Sequence, residues 1–362
     1  MKHLFHIHSY TCYITSVGIL DKENIATSDA IFFIYRSVPI IRKDIKHVFI
    51  EDKLYYFPFF TNRKLVNFKF LKTKEIINKF DKVINNEVGD KYIYYVHNSR
   101  SYLYRIFITH KSCEEVRFIE DGLDVFLEKK SFYKKYPYKV RIRHKIINFI
   151  LGYILGPKKV YARLKQYNDP FKNKNEVSRF YGLTQKSFSH FLPDNSKYLK
   201  IDSKIVRSIQ NYKIEQGANL FVFSALVEQH VSSQEDIDKL LKWFVKKFDI
   251  NELFINFHPH QQKSTRDSLV SVLVNENVDV KIIPDNIIME TFFLNNKDLN
   301  IYGTGTSLLI YAAYFSPSSN VFVLYPYFKK HLNKVTIRTK FWENTFENMY
   351  KNNLYLYLRD FE

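Results

Sequence analysis

Residues 114–122 read EEVRFIEDG: Val116, Phe118 and Ile119 lead into two adjacent carboxylates and a glycine. The apolar residues mark a short strand, and Asp121-Gly122 is a standard way to turn the chain at its end. The flanking sequence decides which kind of sheet this strand joins. Upstream, KHLFHIHS (2–9), IFFIYRS (31–37), HVFIED (47–52) and KYIYYVHNS (91–99) read as strands, whereas LKTKEIINKFDKVINN (71–86) and SRSYLYRIFITH (99–110) have helical spacing. Downstream, NLFVFSAL (219–226), ELFINFHPH (252–260), VDVKIIP (278–284), LNIYGTG (299–305) and NVFVLYP (320–326) are strands. Between them lie the helices SSQEDIDKLLKWFVKKF (232–248), opened by a Ser cap, STRDSLVSVLVNE (264–276) and LLIYAAYF (308–315). Strands alternating with helices predict parallel sheets covered on both faces, an α/β architecture of two doubly wound Rossmann-type domains facing an interdomain cleft.

The 362 residues exceed what one ordinary core organises. The expected division is a first domain over 1–165 ending in a basic helical segment (129–165), a linker over 166–214, a second domain over 215–340, and a C-terminal helix over 341–362 packing back on the first domain. Nine glycines leave little material for glycine-rich phosphate loops, so any phosphate site must use other donors. Cys12 and Cys113 make no disulfide framework, which fits a reducing, cytoplasmic setting. His6 and His8 interrupt the apolar start of the chain and argue against a signal peptide. No apolar run reaches the length that spans a bilayer.

In open α/β sheets ligands bind where strands end. Four polar groups fall at such exits: His97-Asn98-Ser99, Glu120-Asp121-Gly122, His258-Pro259-His260 and Thr304-Gly305-Thr306-Ser307. Each has a plain alternative as a turn or helix cap, and the histidines as surface residues. Their shared placement favours a site. His3, His6 and His8 alternate as in a strand, with His6 and His8 on one face, but lack a compact set of cysteine or carboxylate partners, so no metal is expected.

An acidic-acidic-Gly motif, a His-Pro after a strand, Pro284 with Glu290 in IIPDNIIMETFF, and a hydroxyl pair opening a helix occur in that order over roughly 118–310. This ordered set resembles the bacterial sialyltransferases of the GT-B type, those that build capsular polysialic acid or decorate lipooligosaccharide. The resemblance implies CMP-sialic acid as donor, a glycan hydroxyl as acceptor, inversion at the transferred carbon, and no metal or other cofactor. It makes Asp121 the general base and has Glu120 orient the loop or contact acceptor. His258, with Pro259 fixing its backbone, would donate to the leaving phosphate. Glu290 would bind the CMP ribose, and Thr306 and Ser307 the phosphate at a helix N-terminus. Asn98 and Ser99, with His97 and Arg100, would line the acceptor side. The alternatives are a GT-B enzyme using a uridine or guanosine diphosphate sugar and a basic nucleic-acid-binding protein.

The net charge of +18 is concentrated. Residues 129–165 hold twelve Lys or Arg and no acid, around the apolar block Ile146 to Leu155. Cations flanking an apolar block suit an anionic membrane surface better than a nucleic-acid groove, which wants aromatic and polar groups among the cations. The expected location is peripheral, on the inner face of the cytoplasmic membrane, without nucleic acid as partner.

Overall fold

AIFFIY (30–35) is buried at every position, as expected of a strand covered on both faces of a parallel sheet. The computed structural model describes residues 1–35, 38, 40–51, 69–89, 91–98, 101–126, 178–188, 192, 196–325, 330 and 356–357. The chain divides into two compact units, Met1–Val206 and Arg207–Glu362.

In the first unit the strands are β1 (Lys2–Ile7), β2 (Ala30–Tyr35), β3 (Lys46–Ile50), β4 (Tyr92–Val96), β5 (Cys113–Ile119), β6 (Ser178–Gly182) and β7 (Ser196–Lys200). They lie in the order β3-β2-β1-β4-β5-β6-β7, every pair parallel. The helices are α1 (Tyr10–Lys22), α2 (Lys69–Glu87), α3 (Tyr102–Ile108) and α4 (Ser203–Ser208). The strand order reverses between β1 and β4, which is the point where such sheets open a crevice.

In the second unit β8 (Asn219–Val222), β9 (Glu252–Asn256), β10 (Asp279–Ile282), β11 (Asn300–Gly303), β12 (Asn320–Val323) and β13 (Leu356–Tyr357) run parallel in the order β10-β9-β8-β11-β12-β13. Its helices are α5 (Gln234–Phe248), α6 (Lys263–Asn275), α7 (Met289–Asn295) and α8 (Ser307–Phe315). The reversal here falls between β8 and β11. Helix α5 shows how the sequence sets the packing. Ser233 and Asp236 form a reciprocal capping box, and Ile237, Leu240, Leu241, Phe244 and Val245 make one buried stripe. Phe244 meets Phe221 and Tyr302 edge-on at 5.2 and 4.8 Å.

Two expectations are corrected, and one helix is added. The stretch taken as a linker over 166–214 contains β6, β7 and α4, and β6 pairs directly with β5. SRFYG and SKYLK each open on two adjacent polar residues and carry only two large apolar ones, too short an apolar run to read as a strand, and both sit toward one edge of the sheet. Within the expected C-terminal helix, Leu356–Tyr357 is instead a strand that extends the second sheet beside β12. Residues 10–22, where the sequence predicts no element, form α1, buried from Thr11 to Leu20. Its β-branched and aromatic content weakens the helical signature, and burial overrides that preference. Gly18 sits where α1 approaches Ile201 so closely that a Cβ would lie 2.2 Å from Ile201 Cγ2. The basic segment 129–165 lies outside the described residues.

Candidate functional site

In the first unit three adjacent parallel strands end together, and each hands over a polar residue. β1 ends into His8 and Ser9, β4 into His97 and Asn98, and β5 into Glu120 and Asp121. His8 and His97 therefore straddle the reversal of strand order, with Asp121 beside them. His8 Nε2 is 2.7 Å from Asp121 Oδ1, and His97 Nε2 is 3.4 Å from Asp121 Oδ2. The two imidazoles stack with centroids 4.0 Å apart. Ser9 donates its hydroxyl to Asp121 Oδ1 at 3.2 Å, and the Cys12 thiol reaches the same oxygen at 3.6 Å.

Ser9 and Cys12 are placed by the start of α1: Ser9 is its N-cap, accepting from the Cys12 backbone N–H at 3.1 Å. Burial alone would raise the Asp121 carboxyl. The His8 and His97 imidazoles and the hydrogen bonds from His8 and Ser9 outweigh it and hold the carboxyl at about 2. Asp121 is 17% exposed, while His8 and His97 are buried behind it. Beneath them His6 stacks on Tyr35 at 4.1 Å and pairs through Nδ1 with the Tyr94 hydroxyl at 3.1 Å. Burial first, then the neighbouring His8 and His97, lowers the His6 pKa well below the ordinary histidine value, so His6 is a neutral support.

Of the two roles expected of Glu120, orienting the loop or contacting acceptor, its surroundings support the first. It is fully buried, and its Oε2 accepts from the Leu183 backbone N–H at 2.5 Å and from the Ser187 hydroxyl at 2.8 Å. It thereby ties the end of β5 to the loop after β6. The fit is tight: a Cβ on Gly182 would lie 2.6 Å from Ser187 Cβ. Asn98 is half-buried at the exit of β4, and Ser99 and Arg100 lie outside the described residues. The N-cap of α3 is Ser101.

The second unit repeats the arrangement with different chemistry. His258 follows β9, Ser224 follows β8, and Thr304 to Ser307 follow β11. His258 is held by its backbone, whose N–H donates to Gln261 Oε1 at 2.8 Å and whose carbonyl accepts from the Gln261 N–H at 2.9 Å. The His260 N–H donates to His258 Nδ1 at 3.1 Å, so a neutral His258 carries its proton on Nε2. Pro259 and His260 are exposed in the same turn.

Thr306 is the N-cap of α8, accepting from the Leu308 N–H at 3.3 Å, and Ser307, half-buried, is the first residue of the helix. Ser224 donates to the Gly305 carbonyl at 3.0 Å, joining the loops on both sides of the reversal. Gly303 is needed for the strands themselves, since a Cβ there would lie 3.0 Å from Val222 Cγ2 and from the Val222 carbonyl. Glu290 is buried in the first turn of α7, which follows the exit loop of β10. Arg266 on α6 bridges to Asp285 at 2.7 Å.

Sequence reasoning placed Asp121, His258, Thr306 and Ser307 at strand exits, and so they are. It missed His8, Ser9 and Cys12 as members of the Asp121 cluster and placed His97 on the acceptor side. The signal available was that His8 follows its strand as closely as His97 and Asp121 follow theirs.

Two parallel sheets with the order 3-2-1-4-5 at their cores, each with polar groups at the reversal, define a GT-B-type pair of Rossmann-like domains. The family model for alpha-2,8-polysialyltransferase matches residues 43–325. The chain belongs to this family, and it is a glycosyltransferase of the sialyltransferase type. Among solved structures it is similar to the MnaA protein of S. aureus determined with UDP, at 12% identity and a TM-score of 0.52, over 98% of this chain and 90% of that one. It is also similar to the UDP-GlcNAc 2-epimerase of Neisseria meningitidis bound to UDP-GlcNAc, at 13% identity and a TM-score of 0.50, over 98% and 93%. At such identity these likenesses speak for the fold. In sequence, the chain matches no curated protein. Among the described residues no helix is long and apolar enough to cross a membrane.

Proposed function

We propose that the protein moves sialic acid from CMP-sialic acid to a hydroxyl of a bacterial surface glycan, capsule or lipooligosaccharide, with inversion and without a metal, Asp121 acting as general base. The observation that carries the reading is the Asp121 carboxylate at the reversal of the first sheet, ionised at neutral pH and partly open to solvent. As the donor carbon gains oxocarbenium character, the acceptor oxygen attacks and its proton passes to Asp121. So acidic a carboxyl supplies little driving force by itself. His8 Nε2 and the Ser9 hydroxyl, 2.7 and 3.2 Å from Asp121 Oδ1, hydrogen-bond to the carboxylate and hold it in place for the transfer.

The leaving group is a phosphate. The His258 tautomer supports a donor role for Nε2–H, and the N–H groups opening α8 with the Ser307 hydroxyl add donors. Glu290 would hold the ribose hydroxyls. Asp121→Asn tests the assignment: folding and CMP affinity persist while CMP release from CMP-sialic acid in the presence of glycan falls by about two to four orders of magnitude. Near-native turnover in that variant would return the motif to a structural turn.

A second reading is favoured by the uridine nucleotide named with both similar structures. In that case the chain takes a UDP sugar, and thermal shift by UDP rather than CMP would identify it. The charge of residues 129–165 supports contact with an anionic membrane surface at the cytoplasmic face, where a lipid-linked acceptor would be presented.

A further inference from the structure

Beyond the sugar-transfer chemistry, the cluster around Asp121 has the composition of a metal site. His8, Cys12, His97 and Asp121 each offer a ligand atom, and these atoms all lie within 4.8 Å of one another. We propose that these four side chains bind one zinc ion, and that its occupancy blocks transfer by taking the Asp121 carboxylate. The second half of this proposal rests on the reading of Asp121 as base; the first half does not.

The donor set is two imidazoles, a thiolate and a carboxylate, the set that suits zinc and excludes hard cations, which want oxygen ligands. The distances fit as well. A tetrahedral ion with bonds of roughly 2.0 Å to nitrogen or oxygen and 2.3 Å to sulfur separates its ligand atoms by roughly 3.3–3.5 Å. With Nε2 as the His8 ligand, the structure has His8 Nε2 2.7 Å and Cys12 Sγ 3.6 Å from Asp121 Oδ1, and His97 Nε2 3.4 Å from Asp121 Oδ2. The 2.7 Å edge from His8 Nε2 to Asp121 Oδ1 opens on binding, and separations of up to 4.8 Å within the set close. The stacking of His8 on His97 turns both ring edges toward the same carboxylate.

The backbone around the cluster is fixed before any ion arrives. Three ligands sit at the ends of neighbouring strands or directly after them, and Cys12 sits in the first turn of α1 behind the Ser9 cap. Ser9 keeps a hydrogen bond on Asp121 Oδ1, and the Tyr104 hydroxyl, 3.3 Å from His97 Nε2, must swing aside if that nitrogen binds. Asp121, the most exposed of the four, offers the way in. Binding is balanced by release of the Cys12 thiol proton to solvent, forming a zinc–thiolate bond. An ion so placed occupies the oxygens that would receive the acceptor proton, so zinc acts as an inhibitor.

The test uses the full chain stripped with EDTA and then given zinc sulfate in competition with a chromogenic chelator. One zinc per chain, bound below micromolar, is expected, with affinity at least tenfold weaker in Cys12→Ser and in His97→Asn. Cobalt(II) titration of the unmodified chain needs no variant. It should produce tetrahedral visible bands and a thiolate charge-transfer band in the near ultraviolet. No stoichiometric zinc, or a cobalt spectrum without the thiolate band, would overturn the site. With the site established, zinc should suppress CMP release and EDTA restore it. Zinc bound with turnover unchanged would leave the site standing and remove Asp121 from the role of base.

Discussion

Replacing Glu120 separates the two adjacent carboxylates by experiment. The hydrogen bonds from Leu183 and Ser187 both end on one oxygen, Oε2, and both donors are buried. Glu120→Ala leaves the Leu183 N–H and the Ser187 hydroxyl without that acceptor. A buried donor left without its acceptor costs about 1–3 kcal/mol, and removing the buried carboxyl recovers part of its own desolvation cost, so the net loss for the two donors is about 3 kcal/mol. For a unit of this size each kcal/mol lowers the midpoint by about 2–4 °C, which gives a drop of about 6–12 °C for the first unit. Glu120→Gln can set its amide oxygen in the same place and keep both donors satisfied, at a cost of about 1 kcal/mol. Differential scanning calorimetry of both variants reads the contrast, with hydrogen exchange at Leu183 as the local probe. If the Ala variant melts with the native protein yet loses turnover, the anchor role is wrong and Glu120 touches substrate. If Gln is as damaging as Ala, charge rather than the two hydrogen bonds holds the loop.

His258→Ala should weaken CMP binding and lower turnover together, and Ser307→Ala should weaken CMP by about 1 kcal/mol, the worth of one hydrogen bond, both readable by calorimetric titration; unchanged affinity in both would move the phosphate elsewhere. Arg117 is buried with a two-point bond to Glu115 at 2.8 Å and contacts to the Tyr95 and Tyr181 hydroxyls at 3.0 and 3.2 Å. Arg117→Ala should therefore cost about 3–5 kcal/mol, and a midpoint shift under 2 °C would show the network to be dispensable. Replacing Lys134, Lys135, Arg141 and Arg143 with Gln should release the protein from anionic vesicles at physiological salt while leaving transfer to a short soluble acceptor intact. Unchanged cosedimentation would end the membrane role of that segment.

The strand-helix alternation and the placement of Asp121, His258 and Thr306-Ser307 at strand exits are legible in the sequence. These follow from local rules: apolar runs of strand length, a Ser cap before an amphipathic stripe in α5, and turn residues that end each strand. The sequence did not show β6 and β7, because strands with only two apolar residues each carry a weak local signal and are fixed by pairing across the sheet, here with β5 and with each other. Nor did it reveal α1, whose residues disfavour a helix in isolation and accept it under burial. The pairing of Glu120 with Leu183 and Ser187, and of Asp121 with His8, Cys12 and His97, joins residues far apart in the chain. Only the sheet order, which sets β1 beside β4 and β4 beside β5, brings those side chains together. Tertiary structure thus decided that one carboxylate of the pair is an anchor, while the other meets two imidazoles and a thiol.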